Sequence, residues 1–236
     1  MAKHIGIVAV SAEGAALCYR TICAEAPQTL GPYNHPEITM HTLPFRDHVR
    51  HLEAGRWDEV GHLLLASART LAAAGAEFLI CPDNTVHQAL DGIAAESPLP
   101  WLHIAAEVAT VASQRGYRRV GVLGTRYLME GPVYRAKLAT AGIAYEIPDS
   151  DERRRINDAI FNELVCGRFD GATRADFGQI IGHLKERGCD AVVLGCTEIP
   201  LLIGDADSPL PTLDSTRLLA RAAVRFATAD LDRRDR

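Results

Sequence analysis

Several residues and patterns that mark common function classes are scarce or missing in this chain. Aromatic residues make up 6% of its 236 residues, and no basic run interleaves with them to form a platform for nucleic-acid bases. The single dense charge run, DERRR (Asp151 to Arg155), puts two acids directly before three arginines, which reads as a solvated helix start. Six cysteines are present (Cys18, Cys23, Cys81, Cys166, Cys189 and Cys196), yet none falls in a CxxC or other metal-ligand spacing. A chain of this length needs no disulfide staples, so the thiols are expected to be reduced, with no metal bound. No window approaches the roughly 20 apolar residues of a membrane span. The start MAKHIGIVAV has neither a signal-length apolar stretch nor a small-residue cleavage site. Low-complexity segments and long linkers are also missing. The expectation is a soluble cytoplasmic protein with no nucleic-acid and no membrane partner.

What is present is core material. Hydrophobic residues form 47% of the chain and the net charge is only −5, enough apolar surface for one large or two small domains. Short runs rich in Ile, Val and Leu recur at IGIVAV (5–10), FLICPD (78–83), VGVLGT (120–125) and AVVLGC (191–196), the pattern of buried parallel strands. Helical patterns lie between them at 57–75, 103–116, 132–142, 153–167 and 174–188, each closing on a glycine suited to a left-handed cap. The alternation predicts an α/β fold with parallel sheets and right-handed crossovers.

The chain also resembles itself. AGAEFLICPDNT (74–85) can be laid over RGCDAVVLGCTE (187–198), which sets Asp83 against Cys196 and Asn84 against Thr197. Two pseudo-symmetric Rossmann-like halves are therefore expected, at about 1–108 and 109–212, with SPLPT (208–212) as the crossing and a tail (213–236) whose helix packs back on the first half. Ligands of open α/β sheets sit beyond the carboxyl ends of strands, which places a site in the cleft between the halves.

The polar clusters at those strand ends carry two readings each. Cys196, in LGCTEIP, is either a core thiol or a reactive one; Thr197 and Glu198 beside it favour the second, and the start of a following helix would favour thiolate. Asp83, Asn84, Thr85 and His87 are either a satisfied turn, with one of the first three as N-cap, or a substrate-holding group.

Taken in order, IGI near the start, DNTVH, VLGTRYLMEGPVYRAKL (122–138), GCTEIPLL and LDST (213–216) resemble the aspartate/glutamate racemase superfamily over nearly the whole chain. The resemblance is strongest to its aspartate racemase and broad-specificity amino-acid racemase branch. Glutamate racemases carry Cys-Thr-His where this chain has Cys196, Thr197 and Glu198. The resemblance implies an isomerase that needs no cofactor, in which two acid/base groups flank the substrate Cα. One removes the α-proton and the other reprotonates the opposite face, so each must lie within hydrogen-bonding reach of the carbon. It assigns Cys196 as one such group. It also assigns Asn84, Thr85, Thr125 and Thr197 to the amino and carboxylate ends of the substrate, Arg46 and Arg168 to a distal carboxylate, and a homodimer as the assembly; Ser11 and Glu198, which depart from the family's residues, are read as further substrate contacts.

Two departures alter that picture. The residue before Asn-Thr is a catalytic cysteine in two-cysteine members, and here it is Asp83, the implied second catalytic group. With reference values of about 3.9 and 8.5, a protonated Asp beside a thiolate Cys lies uphill by about 6 kcal/mol in water. Cys81 points the same way one pleat back, roughly 6.6 Å along the strand, and is a conceivable substitute. The glycine-rich loop after the first strand is replaced by AVSAEGAAL (9–17), where Ser11 and Glu13 would shape a different pocket wall. His103, in PLPWLHIAAE, is read as a packing and hydrogen-bonding residue. The sequence thus supports an amino-acid racemase or epimerase, acidic substrates first. Two alternatives stay open: a one-cysteine decarboxylase or cis-trans isomerase of the same fold, and a non-catalytic amino-acid binder.

Overall fold

The structure, a computed structural model, describes residues 1–231; residues 232–236 of the tail lie outside the described residues. Strands β1 (Ile5–Ala9), β2 (Ile38–Thr42), β3 (Phe78–Ile80) and β4 (Trp101–Leu102) form one sheet in the order β2-β1-β3-β4. Strands β5 (Arg119–Leu123), β6 (Ala144–Glu146), β7 (Ala191–Leu194) and β8 (Thr212–Asp214) form another in the order β6-β5-β7-β8. Every ladder is parallel, as the alternation of strand and helix requires.

The sheets agree in register as well as in order. Ile5 pairs with Ile38 and Phe78 in the first, and Val120 pairs with Tyr145 and Ala191 in the second. Gly6 and Gly121 take the next place on their strands. A Cβ on Gly6 would lie 2.7 Å from Leu79 Cδ2, and one on Gly121 2.8 Å from Leu184 Cδ1, so both strands exploit a missing side chain for close packing.

The chain divides into two compact units, Met1–Ile104 with the segment from Thr216 onward, and Ala105–Ser215. In the first, alternate residues of β1 and β3 feed opposite faces of the sheet. Val8 and Leu79 join Leu64, Leu71 and Val86 in one core. Ile5, Ile7, Phe78 and Ile80 join Cys18, Ile22 and, from the terminal helix Ser215–Thr228, Leu219, Ala223 and Ala227 in the other. Lys3 N–H donates to the Ala227 carbonyl at 2.9 Å, which ties that helix to the entry of β1. The second unit has its own core, in which Val192 and Leu194 meet Ile156 and Ile160 of helix Ser150–Asn162 and Phe177, Ile181 and Leu184 of helix Gly171–Glu186.

Helices over Trp57–Ala73, Ile104–Gln114, Val133–Thr140, Ser150–Asn162 and Gly171–Glu186 stand where the periodicity puts them. Gly75 and Gly188, at φ 93° and 86°, turn the chain out of a helix and toward β3 and β7 respectively. The fourth helix stops at Asn162, short of the expected Gly167, because Glu163 leaves helical geometry and a 3₁₀ turn over Leu164–Cys166 follows. DERRR opens that helix under a capping box: Asp149 accepts from Glu152 N–H, and the Glu152 side chain accepts from Asp149 N–H. Among the described residues, no helix is long and apolar enough to cross a membrane.

Candidate active site

The chain beyond β3 turns sharply. Asp83 Oδ1 accepts from the backbone N–H of Thr85 at 3.0 Å and of Val86 at 3.3 Å, so the half-buried carboxyl opens the 3₁₀ turn Thr85–Ala89. Of the three residues proposed as N-cap, Asn84 holds the position without a side-chain cap bond, and the Asp83 carboxyl one residue earlier takes the turn's N–H groups. Two N–H donors on one oxygen suit a carboxylate that accepts. Asn84 and Thr85 are buried beside it.

His87, the last of the polar cluster read from the sequence, holds this turn down. The Ile104 N–H donates to its Nε2 at 3.3 Å, and its Nδ1 lies 2.7 Å from the Asp83 carbonyl oxygen. An amide nitrogen only donates and a carbonyl only accepts, so the proton sits on Nδ1. One neutral imidazole thereby links the Asp83 main chain to the first residue of helix Ile104–Gln114. The His103 ring meets it edge-on at 4.6 Å, in agreement with the packing role read for His103.

Cys81 does not substitute for Asp83. It is 1% exposed within the core that holds Leu79 and Val86, and burial, with the Asp83 charge adding to it, pushes the thiol well above its ordinary range. Ala9 and Val10, which stand at the family's glycine positions, are core residues here. Ser11 follows them as N-cap of helix Ala12–Glu25, accepting from Gly14 N–H at 3.3 Å.

In the second unit two glycines bring strand ends together. A Cβ on Gly124 would lie 3.2 Å from the Gly195 oxygen, and one on Gly195 would lie 2.6 Å from the Leu123 oxygen. Thr125 and Cys196 directly follow these glycines. Thr125 caps helix Arg126–Glu130 by accepting from Leu128 N–H at 3.3 Å. The half-buried Cys196 points its Sγ at Glu198 Oε2, 3.0 Å away, and Thr197 Oγ1 donates to the same oxygen at 2.8 Å. Glu198 is 4% exposed. The helix that follows, Ile199–Leu202, is a single turn with Pro200 in it. Its dipole is correspondingly small, so the helix start expected to favour the Cys196 thiolate contributes little.

The two arginines fall elsewhere in kind. Arg46 lies exposed in the first turn of helix Phe45–Glu53, after β2, and forms no ion pair among the described residues. Arg168 is also exposed and donates to the Asn162 carbonyl, capping the C-terminal end of helix Ser150–Asn162. The structure thus gathers Asp83, Asn84, Thr85 and His87 in one unit, and Thr125, Cys196, Thr197 and Glu198 in the other. No group of three or more His, Cys, Asp or Glu among the described residues could hold a metal ion.

Known proteins share this arrangement. A Bacillus subtilis strain 168 broad-specificity amino-acid racemase, RacX, is 23% identical over 167 residues, 71% of this chain and 72% of that one. A crystal structure of a candidate Asp/Glu racemase from Yersinia pestis superposes with a TM-score of 0.88 at 33% identity, over 95% of this chain and 99% of that one. An aspartate racemase homologue from Pyrococcus horikoshii OT3 superposes with a TM-score of 0.83 at 28% identity, over 97% and 100%. The family model for Asp/Glu/Hydantoin racemase matches residues 5–223, from β1 into the terminal helix. That match takes in both sheets and both polar strand ends, and the chain belongs to the Asp/Glu/Hydantoin racemase family.

Proposed function

We propose that this chain is an amino-acid racemase or epimerase that works by proton transfer at Cα without a cofactor, with acidic amino acids as the first substrates to try. Cys196 is one acid/base group and Asp83 the other, one for each face of the carbon, while Asn84, Thr85, Thr125 and Thr197 hold the amino and carboxylate ends. The carrying observation is positional. Phe78 and Ala191 occupy the same place in the two sheets' registers, and Asp83 and Cys196 each stand five residues further on. The unpaired Arg46 is the candidate for a distal carboxylate; Arg168, already spent on Asn162, is the weaker one. A homodimer in the cytoplasm belongs to the same reading.

The test is proton NMR in deuterium oxide with single-enantiomer amino acids, acidic ones first, followed by chiral chromatography of each mixture. Deuterium entering at Cα together with the mirror image is the expected result, and Cys196→Ala is expected to abolish both. Unchanged exchange in Cys196→Ala on the same substrate would overturn the assignment. The Asp83 turn favours a second reading: a carboxyl that accepts from two backbone N–H groups is favoured in its charged form, which has no proton to give. One-thiol chemistry, decarboxylation or cis-trans isomerisation of a small dicarboxylic acid, needs no acid at that position. Carbon dioxide release from a malonate-type acid, without racemisation of any amino acid, would select it.

A further inference from the structure

We infer that His48 is the positioning residue of Arg46: while its ring is uncharged it docks helix Phe45–Glu53 on the first unit, and once protonated it lets the helix go. The consequence for an acidic substrate rests on the racemase reading; the docking does not. His48 is 1% exposed, and neither Nδ1 nor Nε2 has a hydrogen-bond partner among the described residues. A buried polar side chain with nothing to bond is uncommon and calls for a reason. Little else seats the helix. His48 is its one buried residue, and Leu52, one turn further on, is half-buried against the core of Val60 and Leu64. Pro44 precedes the helix and gives it no side-chain cap. Arg46, two residues before His48, falls on the opposite side of the helix and is exposed. The residue that seats the helix and the residue that would meet a distal carboxylate thus belong to two faces of one short element.

The ring keeps that seat only without a charge. Burial pushes its pKa below the ordinary 6.5, with Asp47 opposing the effect and His51 adding to it. Both stand on the same helix, and neither bonds to the ring. Helix Trp57–Ala73 packs against helix Phe45–Glu53, and its titratable residues Asp58, Glu59, His62 and Arg69 are all exposed. His41 of β2 is engaged elsewhere, its Nδ1 lying 3.0 Å from Ser67 Oγ. An imidazolium at this place would therefore donate to nothing, and leaving for water is its way to keep the proton. The sign follows: a group whose pKa is lower in the docked state supports docking fully above its free value and withdraws that support as pH falls below 6.5. The ratio of docked to released helix drops by at most about tenfold for each pH unit of that interval.

Amide hydrogen exchange over residues 45–53, corrected for the intrinsic pH dependence of exchange, is followed from about pH 7.5 to about pH 5 in the native protein and in His48→Leu. Leucine fills the seat with no proton to gain, and the change breaks no hydrogen bond. In the native protein, protection of the segment is expected to fall below pH 6.5, by up to about tenfold per pH unit, while β1 and β3 stay protected. In His48→Leu it is expected to hold. A fall of equal size in both proteins, or none in the native one, overturns the inference. Should His48→Leu fail to fold, the native ring decides: its proton NMR titration is expected to have a midpoint below 6.5, and a midpoint at or above that value overturns the inference. On the racemase reading, KM for aspartate is expected to climb over the same interval in the native protein and stay level in His48→Leu, while kcat changes alike in both. A KM that ignores the loss of protection overturns the link to Arg46. Exchange needs no substrate, so an absence of racemisation with every amino acid would sink the racemase reading while leaving the docking test intact.

Discussion

Gly195 occupies a position where one added methyl group meets main chain. Its Cβ would sit 2.6 Å from the Leu123 oxygen and 2.6 Å from Leu128 Cδ2, while Gly195 N–H donates to that same Leu123 oxygen at 2.8 Å. A leucine methyl can swing away, but a carbonyl already used as an acceptor on the neighbouring strand cannot. Gly195→Ala is expected to cost about 1–3 kcal/mol or more and to displace Cys196, which follows directly. Gly182→Ala is the contrast: nothing lies within 4 Å of its Cβ in helix Gly171–Glu186, and the change is expected to stabilise by roughly 0.5–1 kcal/mol. Urea midpoints of both variants check this; equal shifts would mean that the close approach at Gly195 is relaxed without cost. Such single-residue geometry was only partly legible in the sequence. Cys196 and Asp83 stood out as letters, but the bond from Cys196 to Glu198 depends on how the turn folds. The reading of Glu198 as a substrate contact rested on its place in the motif alone. The Arg168 contact with Asn162 was hidden for a similar reason, since the helix ends five residues before the expected glycine.

Among the elements, the strands anticipated from apolar runs are the two central strands of each sheet. β1, β3 and β7 are buried at every residue and β5 at every residue but Arg119. A strand covered on both faces writes a continuous hydrophobic run. The outer strands β2, β4, β6 and β8 are short or half-exposed, so their letters mix polar and apolar residues and give no such run. One contact between helices carries a pH signature of its own. His183 Nδ1, on helix Gly171–Glu186, lies 2.5 Å from Glu152 Oε1 on helix Ser150–Asn162. That hydrogen bond raises the His183 pKa from 6.5, against a smaller desolvation effect. A group whose value is higher in the folded state stabilises fully below its unfolded value and loses that contribution as pH climbs through the folded one. Native stability is therefore expected to step down as pH rises from about 6.5 through the raised value, and the step should be missing in His183→Gln. Urea midpoints of the two proteins across that interval measure it. Parallel curves would show that the charged pair contributes nothing, the outcome common for solvent-exposed pairs.

At the scale of the whole molecule, two sheets of equal order and register make one architecture written twice, yet the two copies are closed differently. The second unit is contiguous, Ala105–Ser215, and its last strand ends at Asp214. The first unit borrows its final helix from the far end of the chain. Leu219, Ala220, Ala223, Val224 and Ala227 cover the sheet face that carries Ile5, Ile7, Phe78 and Ile80. Burying Leu219 and Val224 alone contributes roughly 3–6 kcal/mol, and removing the helix would also bare the apolar face of β1 and β3. Domains have only about 5–15 kcal/mol to lose. A chain ending at Ser215 is therefore expected to keep the second unit folded and to lose the first. Amide hydrogen exchange resolved by segment can distinguish them. Protection should persist in β5 and β7 and collapse in β1 and β3, and Asp83, which hangs from β3 through the His87 clamp, should lose its place while the Cys196 turn keeps its own. Equal protection in all four central strands would show that the first sheet holds without the terminal helix. In that case the joining of the chain's two ends would be incidental to the Asp83 turn.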